Sequence, residues 1–297
     1  MDTSADSPVS PVVLTLNSPP ILDWVGTAGH ENDGLDPESG SSSTAFTFKV
    51  KYTDPDNDAP TIHKVYIDNS GNGAYSAYDM TTTGTDYASG VIYSYTTAIP
   101  YSQASRSHSY YFEFSDGKQS TAGNITQAIS AATAIHKPDV FQTLSLNIDH
   151  TNWQLLNILA GSEQITDSAN KVRLTNDGDG VQAYSLKITS GGGWTNSPDK
   201  NGADIDTFVL SALFAGDTQS SVTTAYFNEI GNDDVVLSNT ADKATSARFG
   251  SALLSHNGVS VPVGAVRSLW FDLKAPSKDT TKGATHFVGV TIDAEAP

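Results

Sequence analysis

The chain has 297 residues, a formal net charge of −17 from 33 acidic and 16 basic side chains, and no cysteine. The negative charge argues against nucleic acids and anionic membranes as partners, because both attract Lys and Arg. The lack of cysteine excludes disulfides, thiolate metal sites and cysteine nucleophiles. No run approaches the roughly 20 apolar residues that span a bilayer, so no transmembrane segment is expected.

Residues 1–17 are predicted to form a lead-in, in which Pro8 and Pro11 precede a short strand at 12–16. The first six residues lack the basic start and apolar core of a signal peptide. The composition is acidic, rich in Ser and Thr and poor in Lys. We therefore expect an exported chain whose leader has been removed, and a protein that is secreted or held at the cell surface.

The next part of the chain, 18–135, is predicted to fold as a β-sandwich. Its strands are expected at 45–52, 62–68, 91–97 and 108–114, because apolar and polar side chains alternate there between turn-forming residues. In the fourth strand, Tyr110, Phe112 and Phe114 share one face, which we expect to belong to the core.

The segment from Phe46 to Gly117 resembles the Ig-like and PKD-like modules that occur in tandem in bacterial secreted and cell-surface proteins. The resemblance rests on a strand ending in Tyr52, an Asp-Pro-Asp corner after it, and an aromatic strand running into Asp116 and Gly117. A Tyr-rich strand lies between them, with Tyr87, Tyr93 and Tyr95. The resemblance implies an Ig-like sandwich and specifies no activity.

The Asp-rich loop, residues 53–60, is the densest group of hard oxygen ligands in the chain. Clustered carboxylates repel one another unless a cation or water offsets their charge, and Ca²⁺ takes six to eight oxygen ligands. The alternative is a solvated turn, because Asp, Asn and Pro are ordinary turn formers. The sequence predicts a structural calcium ion with these candidate ligands: Asp54, Asp56, Asn57, Asp58, Asp68 and Asp116.

After a predicted linker at 136–140, a second and larger Ig-like sandwich is expected over 141–297. Strands are predicted at 144–148, 171–176, 183–188, 267–276 and 286–292. The Asn-Asp-Gly-Asp-Gly stretch between the second and third of these predicts a hairpin. The region 191–258 is longer than such modules usually carry, and we interpret it as an insertion.

The predicted fold class is therefore all-β, with two tandem Ig-like antiparallel sandwiches of which the second is larger. The residue composition supports this class, because only six of the acidic residues are Glu and Asp favours turns over helices. No nucleophile elbow, zinc-protease motif, phosphate-binding loop or dinucleotide fingerprint occurs. An enzyme is not expected.

The leading functional hypothesis is a structural or adhesive cell-surface protein, such as a surface-layer, filament or adhesin component. Its expected partners are further copies of itself or other surface proteins. The alternative is a carbohydrate-binding module of a secreted polysaccharide-degrading system. In that case Trp194, which follows three glycines, is the candidate for stacking on a sugar ring, although an indole is more often packed in a core. An unrecognised hydrolase is a third and weaker possibility.

Overall fold

The computed structural model describes residues 17–118, 137–155, 158–238, 240–281 and 284–297 in full, and the backbone of 119–120 and 123–130. It is all-β, as predicted, and its one helical element is a single 3₁₀ turn at Thr224–Tyr226 among the residues described. Within the same residues there is no helix long and hydrophobic enough to cross a bilayer. The strand predicted at 12–16 lies outside the described part of the chain.

The chain divides into two compact units, Met1–Phe141 and Gln142–Pro297. The described residues of unit 1 form ten strands: β1 Ile21–Asp23, β2 Leu35–Asp36, β3 Ser39–Ser41, β4 Phe46–Thr53, β5 Ile62–Ile67, β6 Ser76–Asp79, β7 Val91–Thr97, β8 Tyr110–Ser120, β9 Gly123–Ser130 and β10 Asp139–Phe141. Strands were predicted near β4, β5, β7 and β8, and these predictions are confirmed.

Two main sheets form unit 1. In the first, β4 pairs with β7 along one edge and with the short β1 and β2 along the other. The second has the order β6-β5-β8-β9, and all these pairings are antiparallel. β10, which begins inside the predicted linker, pairs in parallel with β3.

The core of unit 1 follows from the alternation seen in the sequence. Phe46, Phe48, Val50 and Tyr52 of β4 are fully buried, whereas the residues between them are only partly covered. They pack in one cluster with Tyr110, Phe112 and Phe114 of β8, as expected for the shared face of that strand. The ring centroids of Tyr52 and Phe114, on different sheets, are 5.6 Å apart. The two sheets therefore share one hydrophobic core.

One boundary in unit 1 was predicted wrongly. The fourth predicted strand was expected to end at residue 114, before Ser115-Asp116-Gly117, but β8 continues to Ser120. The register against β9 shifts between Ser115 and Gln119, so the strand contains a bulge at this point. Gly117 has φ +72°, a backbone conformation that glycine adopts without strain.

Unit 2 has nine strands in the part that the structure describes: β11 Leu146–Ile148, β12 Glu163–Ile165, β13 Val172–Asn176, β14 Ala183–Ser190, β15 Thr195–Asn196, β16 Thr207–Gly216, β17 Asp242–Lys243, β18 Val266–Lys274 and β19 Gly289–Glu295. One sheet has the order β11-β13-β18-β16-β15, with β12 also paired to β18. The other has the order β17-β14-β19. A core that contains Leu210, Phe271, Tyr184 and Leu186 joins the two sheets.

The larger sheet of unit 2 is buried on both faces. Leu269 and Phe271 of β18 point into the core between the sheets, and Trp270 between them points to the opposite face. There Trp270 packs with Leu213 and Phe227. Residues that the sequence assigned to an insertion thus cover the outer face of this sheet, which explains the almost unbroken burial of β16 and β18.

The predicted hairpin between β13 and β14 is wrong. The two strands lie in different sheets, because β13 pairs with β11 and β18 whereas β14 pairs with β17 and β19. The connection is an arch between sheets. Its residues resemble those of a hairpin turn because the buried Asn176 stabilises the arch by local hydrogen bonds. The side chain of Asn176 accepts from the NH of Gly178 and donates to the carbonyl of Gly180. The alternation of each strand identifies its buried face but not its partner.

Candidate functional sites

The Asp-rich loop is a tight turn organised by its first carboxylate. Asp54 follows β4 directly and is fully buried. Its Oδ1 accepts hydrogen bonds from the backbone NH groups of Asp56 at 2.9 Å and Asp58 at 3.2 Å. Asn57 has φ +60°, which Asn tolerates better than most residues. The local sequence therefore folds back on itself, as Asx turns do.

Three carboxylates meet beside this turn. Oxygens of Asp54, Asp58 and Asp116 all lie within 4.8 Å of one another. Asp116 reaches the loop from the bulge in β8, and a Cβ at the following Gly117 would lie 2.6 Å from Oγ1 of Thr61. We call Asp54, Asp58 and Asp116 the acidic cluster. Its spacing and donor type suit a hard divalent cation.

A lysine already neutralises part of this charge. Nζ of Lys118 lies 2.7 Å from Oδ1 of Asp58. The hydrogen bond to Asp58 raises the pKa of Lys118, and the charges of Asp116 and Asp54 raise it further. Asn17 also donates to Oδ2 of Asp116 at 2.8 Å. Any cation at the acidic cluster must therefore compete with an ammonium group that is tethered to β8.

Tyr52 closes the buried side of the acidic cluster. Its hydroxyl donates to Oδ2 of Asp54 at 3.4 Å and to the carbonyl of Asp58 at 3.2 Å. Burial raises the pKa of Tyr52, and the negative charges of Asp54 and Asp116 raise it further. The phenol thus remains a neutral donor in this acidic environment.

The other predicted ligands lie outside the acidic cluster. Oδ2 of Asp56 accepts from the backbone NH of Ser18 at 2.5 Å, and Oδ1 of Asn57 accepts from that of Ala88 at 3.1 Å. Asp68 follows the last residue of β5, at the opposite end from the Asp-rich loop. Its carboxylate accepts from the backbone NH of Gly73 at 2.7 Å, in a different turn.

Asp68 stabilises a turn, and the hydrogen bonds that it accepts there affect its pKa. Burial by itself would raise its pKa, but backbone hydrogen bonds, chiefly from Gly73 and Asn72, lower the pKa overall.

The structure thus brings together three of the six predicted ligands, and the sequence analysis missed Lys118, Tyr52 and Asn17. A basic residue two positions after Asp116 was the available signal for Lys118.

Unit 2 contains a second candidate site, a cavity of about 640 Å³ between its two sheets. We call it the inter-sheet cavity. Aliphatic side chains of both sheets line it, among them Leu210, Val290 and Ile292, together with the stacked rings of Trp153 and Phe271. Its volume falls within the range of about 300–1,000 Å³ that small-molecule sites occupy.

A polar group lies at one side of the inter-sheet cavity. The imidazole of His286 stacks on the indole of Trp194, with ring centroids 4.1 Å apart and planes at 18°. Nε2 of His286 lies 3.3 Å from Oδ2 of Asp279, and its Nδ1 lies 2.9 Å from the carbonyl of Gly192. Hydrogen bonds from Thr281 lower the pKa of Asp279 to about 2, so the carboxylate is ionised beside the ring.

Trp194 is therefore partly committed to contacts within the protein. His286 covers one face of the indole, and Phe208 packs against the ring at a centroid distance of 6.4 Å. Nε1 of Trp194 also points to Oδ1 of Asp279 at 3.5 Å. A sugar ring would have only the remaining face for stacking.

Unit 2 also has two buried carboxyl groups with raised pKa values. Asp234 is fully buried, and burial raises its pKa from 3.8 to about 7. Burial also raises the pKa of Asp272, with a further contribution from Glu163.

No protein-family model matches this chain, and a comparison with curated proteins gave no match.

Proposed function

We propose that this protein is a non-enzymatic structural or adhesive component of the cell exterior, in which calcium stabilises an Ig-like sandwich. The observation that carries the proposal is the convergence of three carboxylates from two separate segments, with oxygens within 4.8 Å of one another. An ion there would link the Asp-rich loop to the bulge of β8 and fix the end of the sandwich. The protein then acts by keeping its shape, as a surface-layer, filament or adhesin subunit does.

The strand order of unit 1 supports the Ig-like assignment. Its sheets group the strands as β1-β4-β7 and β6-β5-β8-β9. In immunoglobulin nomenclature this corresponds to A-B-E and C′-C-F-G, a grouping found among Ig-like sandwiches. We assign unit 2 to the same broad class, with 191–258 as its insertion. Such modules commonly serve as spacers and adhesive units.

Secretion or display at the cell surface is part of the same proposal. Extracellular calcium modules bind the ion with dissociation constants of about 10⁻⁴–10⁻³ M, an affinity that suits a few carboxylates completed by water. The surplus of negative charge on the chain adds to the attraction of divalent cations. Self-association or contact with other surface proteins would then build the larger structure.

The calcium proposal is tested by thermal unfolding in EDTA and in millimolar calcium chloride. We expect calcium to raise the melting temperature of unit 1 by about 5 °C, because an ion that binds only the folded state stabilises it. Asp116→Asn should abolish the rise. Asp79→Asn is the matched control, since Asp79 is an ion-paired carboxylate of the same unit outside the acidic cluster. Identical melting in EDTA and calcium would refute the calcium site.

The carbohydrate-binding alternative has one favourable observation, which is that Trp194 lies at the wall of a cavity and remains partly exposed. A polysaccharide pull-down with the wild type and Trp194→Ala separates the two functions. Binding that the variant loses would support the carbohydrate-binding function. Ordered assembly that increases with concentration, without glycan binding, would support the structural function.

A further inference from the structure

We propose that the inter-sheet cavity of unit 2 binds an uncharged and largely apolar small molecule. The body of this ligand would lie between the two sheets, and a single hydroxyl or carbonyl group would lie near His286. This inference goes beyond the proposed function and does not depend on calcium, because none of the acidic cluster belongs to unit 2.

The apolar body follows from the wall of the cavity. Three strands of the larger sheet contribute Val172, Leu210 and Leu273, and β19 of the smaller sheet contributes Val290 and Ile292. Hydrocarbon walls that face water carry a free-energy cost, which an apolar ligand would remove by covering them. The indole of Trp153 adds a flat aromatic surface. Hydroxyl groups of a sugar that faced these aliphatic side chains would lose water without gaining partners, so this part of the wall suits an apolar group better.

The absence of ligand charge follows from how the charged groups of the wall are paired. The Asp279 carboxylate faces His286, with 3.3 Å between Oδ2 and Nε2. His150, the other histidine of the wall, lies 2.8 Å from Oδ1 of Asp149. Each ionisable side chain of the described wall thus lies beside a second ionisable side chain. An added cation or anion would lose hydration without gaining an unpaired counter-charge.

The hydrogen-bond partners of His286 fix its imidazole beside Asp279. Nδ1 faces the carbonyl of Gly192, which can only accept, so this nitrogen carries a proton. Nε2 faces the ionised Asp279, whose carboxylate can only accept a hydrogen bond. The imidazole therefore covers one side of this carboxylate. Removing the imidazole would expose the negative charge of Asp279 to the ligand, and replacing Asp279 by Asn would remove that charge.

The first experiment measures binding of N-phenyl-1-naphthylamine, a neutral apolar probe whose fluorescence increases in apolar surroundings. We expect saturable binding to the wild type and weaker binding to Val290→Phe, whose ring partly fills the cavity. Thr291→Phe is the matched control, because adjacent strand residues point to opposite faces and Thr291 does not line the cavity. No binding to the wild type, or equal binding to Val290→Phe, would overturn the proposal.

The second experiment displaces the probe with ligands that share a decyl chain and differ in the head group. We expect decanol to compete at concentrations about tenfold lower than decanoate or decyltrimethylammonium. In His286→Gln the unpaired Asp279 should shift the preference about tenfold towards the cation, and in Asp279→Asn it should shift towards the anion.

These head-group shifts identify the place of binding even if the cavity-filling variant fails to fold. Charged ligands that compete as well as decanol, or preferences that both variants leave unchanged, would contradict the proposal. Displacement of the probe by methyl glucoside at the concentrations effective for decanol would also contradict it, because that result would indicate a glycan site.

Discussion

Lys118 determines the electrostatic state of the acidic cluster. Its ammonium group contacts Asp58, and its raised pKa reflects all three carboxylates. The contact is half exposed to solvent, so its own contribution to stability is small. Its larger effect is on competition, since a divalent cation and an ammonium group cannot both occupy the same position among the oxygens.

Replacing Lys118 by Gln should therefore strengthen calcium binding. Removal of the tethered cation leaves the carboxylates to repel one another, so we expect a lower melting temperature in EDTA. We also expect a calcium affinity about tenfold higher than that of the wild type. Isothermal titration calorimetry measures the affinity. The control is Lys64→Gln, which removes an ion pair elsewhere in unit 1, and a Lys118→Gln variant with weaker calcium binding would disprove this competition.

Asp234 makes the stability of unit 2 depend on pH. Its native pKa of about 7 lies above the ordinary value of 3.8, because burial disfavours the ionised form of the carboxyl group. Such a group contributes stability that is fully present below the unfolded pKa and is lost as the pH rises through the native pKa. The free energy of unfolding should therefore decrease from about pH 4 to pH 7.

Asp234→Asn should remove most of this pH dependence, because the amide does not ionise. We expect the difference in unfolding free energy between variant and wild type to move in favour of the variant by about 1–3 kcal/mol between pH 5 and pH 8. Urea titrations followed by Trp fluorescence measure it. Asp293→Asn serves as the control, because Asp293 is an exposed carboxylate of the same unit that does not contribute to the pKa shift of Asp234. A difference that stays constant with pH would show that Asp234 is ionised in the native protein.

The arch between β13 and β14 illustrates how one element is secured by a single buried side chain. Nδ2 of Asn176 donates to the carbonyls of Gly180 at 2.9 Å and Val261 at 2.8 Å. The second bond connects the arch to a segment 85 residues further along the chain. Asn176 therefore couples the turn to the strand entry before β18.

We expect Asn176→Ala to destabilise unit 2 by about 2–3 kcal/mol, because it removes hydrogen bonds to the carbonyls of Gly180 and Val261 and from the NH of Gly178. Asn147→Ala on the neighbouring β11 should change stability by less than about 0.5 kcal/mol, since that side chain is exposed. Chemical denaturation of both variants tests this contrast. A loss below about 1 kcal/mol for Asn176→Ala would mean that water replaces these hydrogen bonds.

Each of the two units has a hydrophobic core of its own. The cluster around Phe112 contains only residues of unit 1, and the cluster around Phe271 contains only residues of unit 2. Domains with separate cores of this size commonly fold alone. Nothing in either core requires side chains from the other half of the sequence.

Fragments 17–141 and 142–297 should therefore each unfold cooperatively when expressed separately. Differential scanning calorimetry should give one transition for each fragment, and calcium should shift only that of 17–141. The acidic cluster variant Asp116→Asn provides the control for the calcium shift. A fragment that shows no cooperative transition would contradict the assignment of a complete core to that unit.

The sequence predicted four strands of unit 1, β4, β5, β7 and β8, because each of them carries a period-two pattern. In β4 the alternation of buried and partly covered residues follows the sequence directly. The sequence predicted the acidic cluster only in part. Asp54 and Asp58 lie in one loop and could be grouped from the sequence. Asp68 was wrongly added as a ligand, because the sequence does not show which end of β5 lies beside the bulge of β8.

Local patterns in the sequence by themselves determined the all-β class, the buried faces of the main strands and the position of the Asp-rich turn, because these depend on neighbouring residues. Only the tertiary structure decided that β13 and β14 join different sheets, that Lys118 reaches Asp58 across 60 positions, and that Trp194 meets His286 beside a cavity. These features arise from contacts between distant segments. Their free energy depends on the packing of whole sheets, which no local pattern specifies.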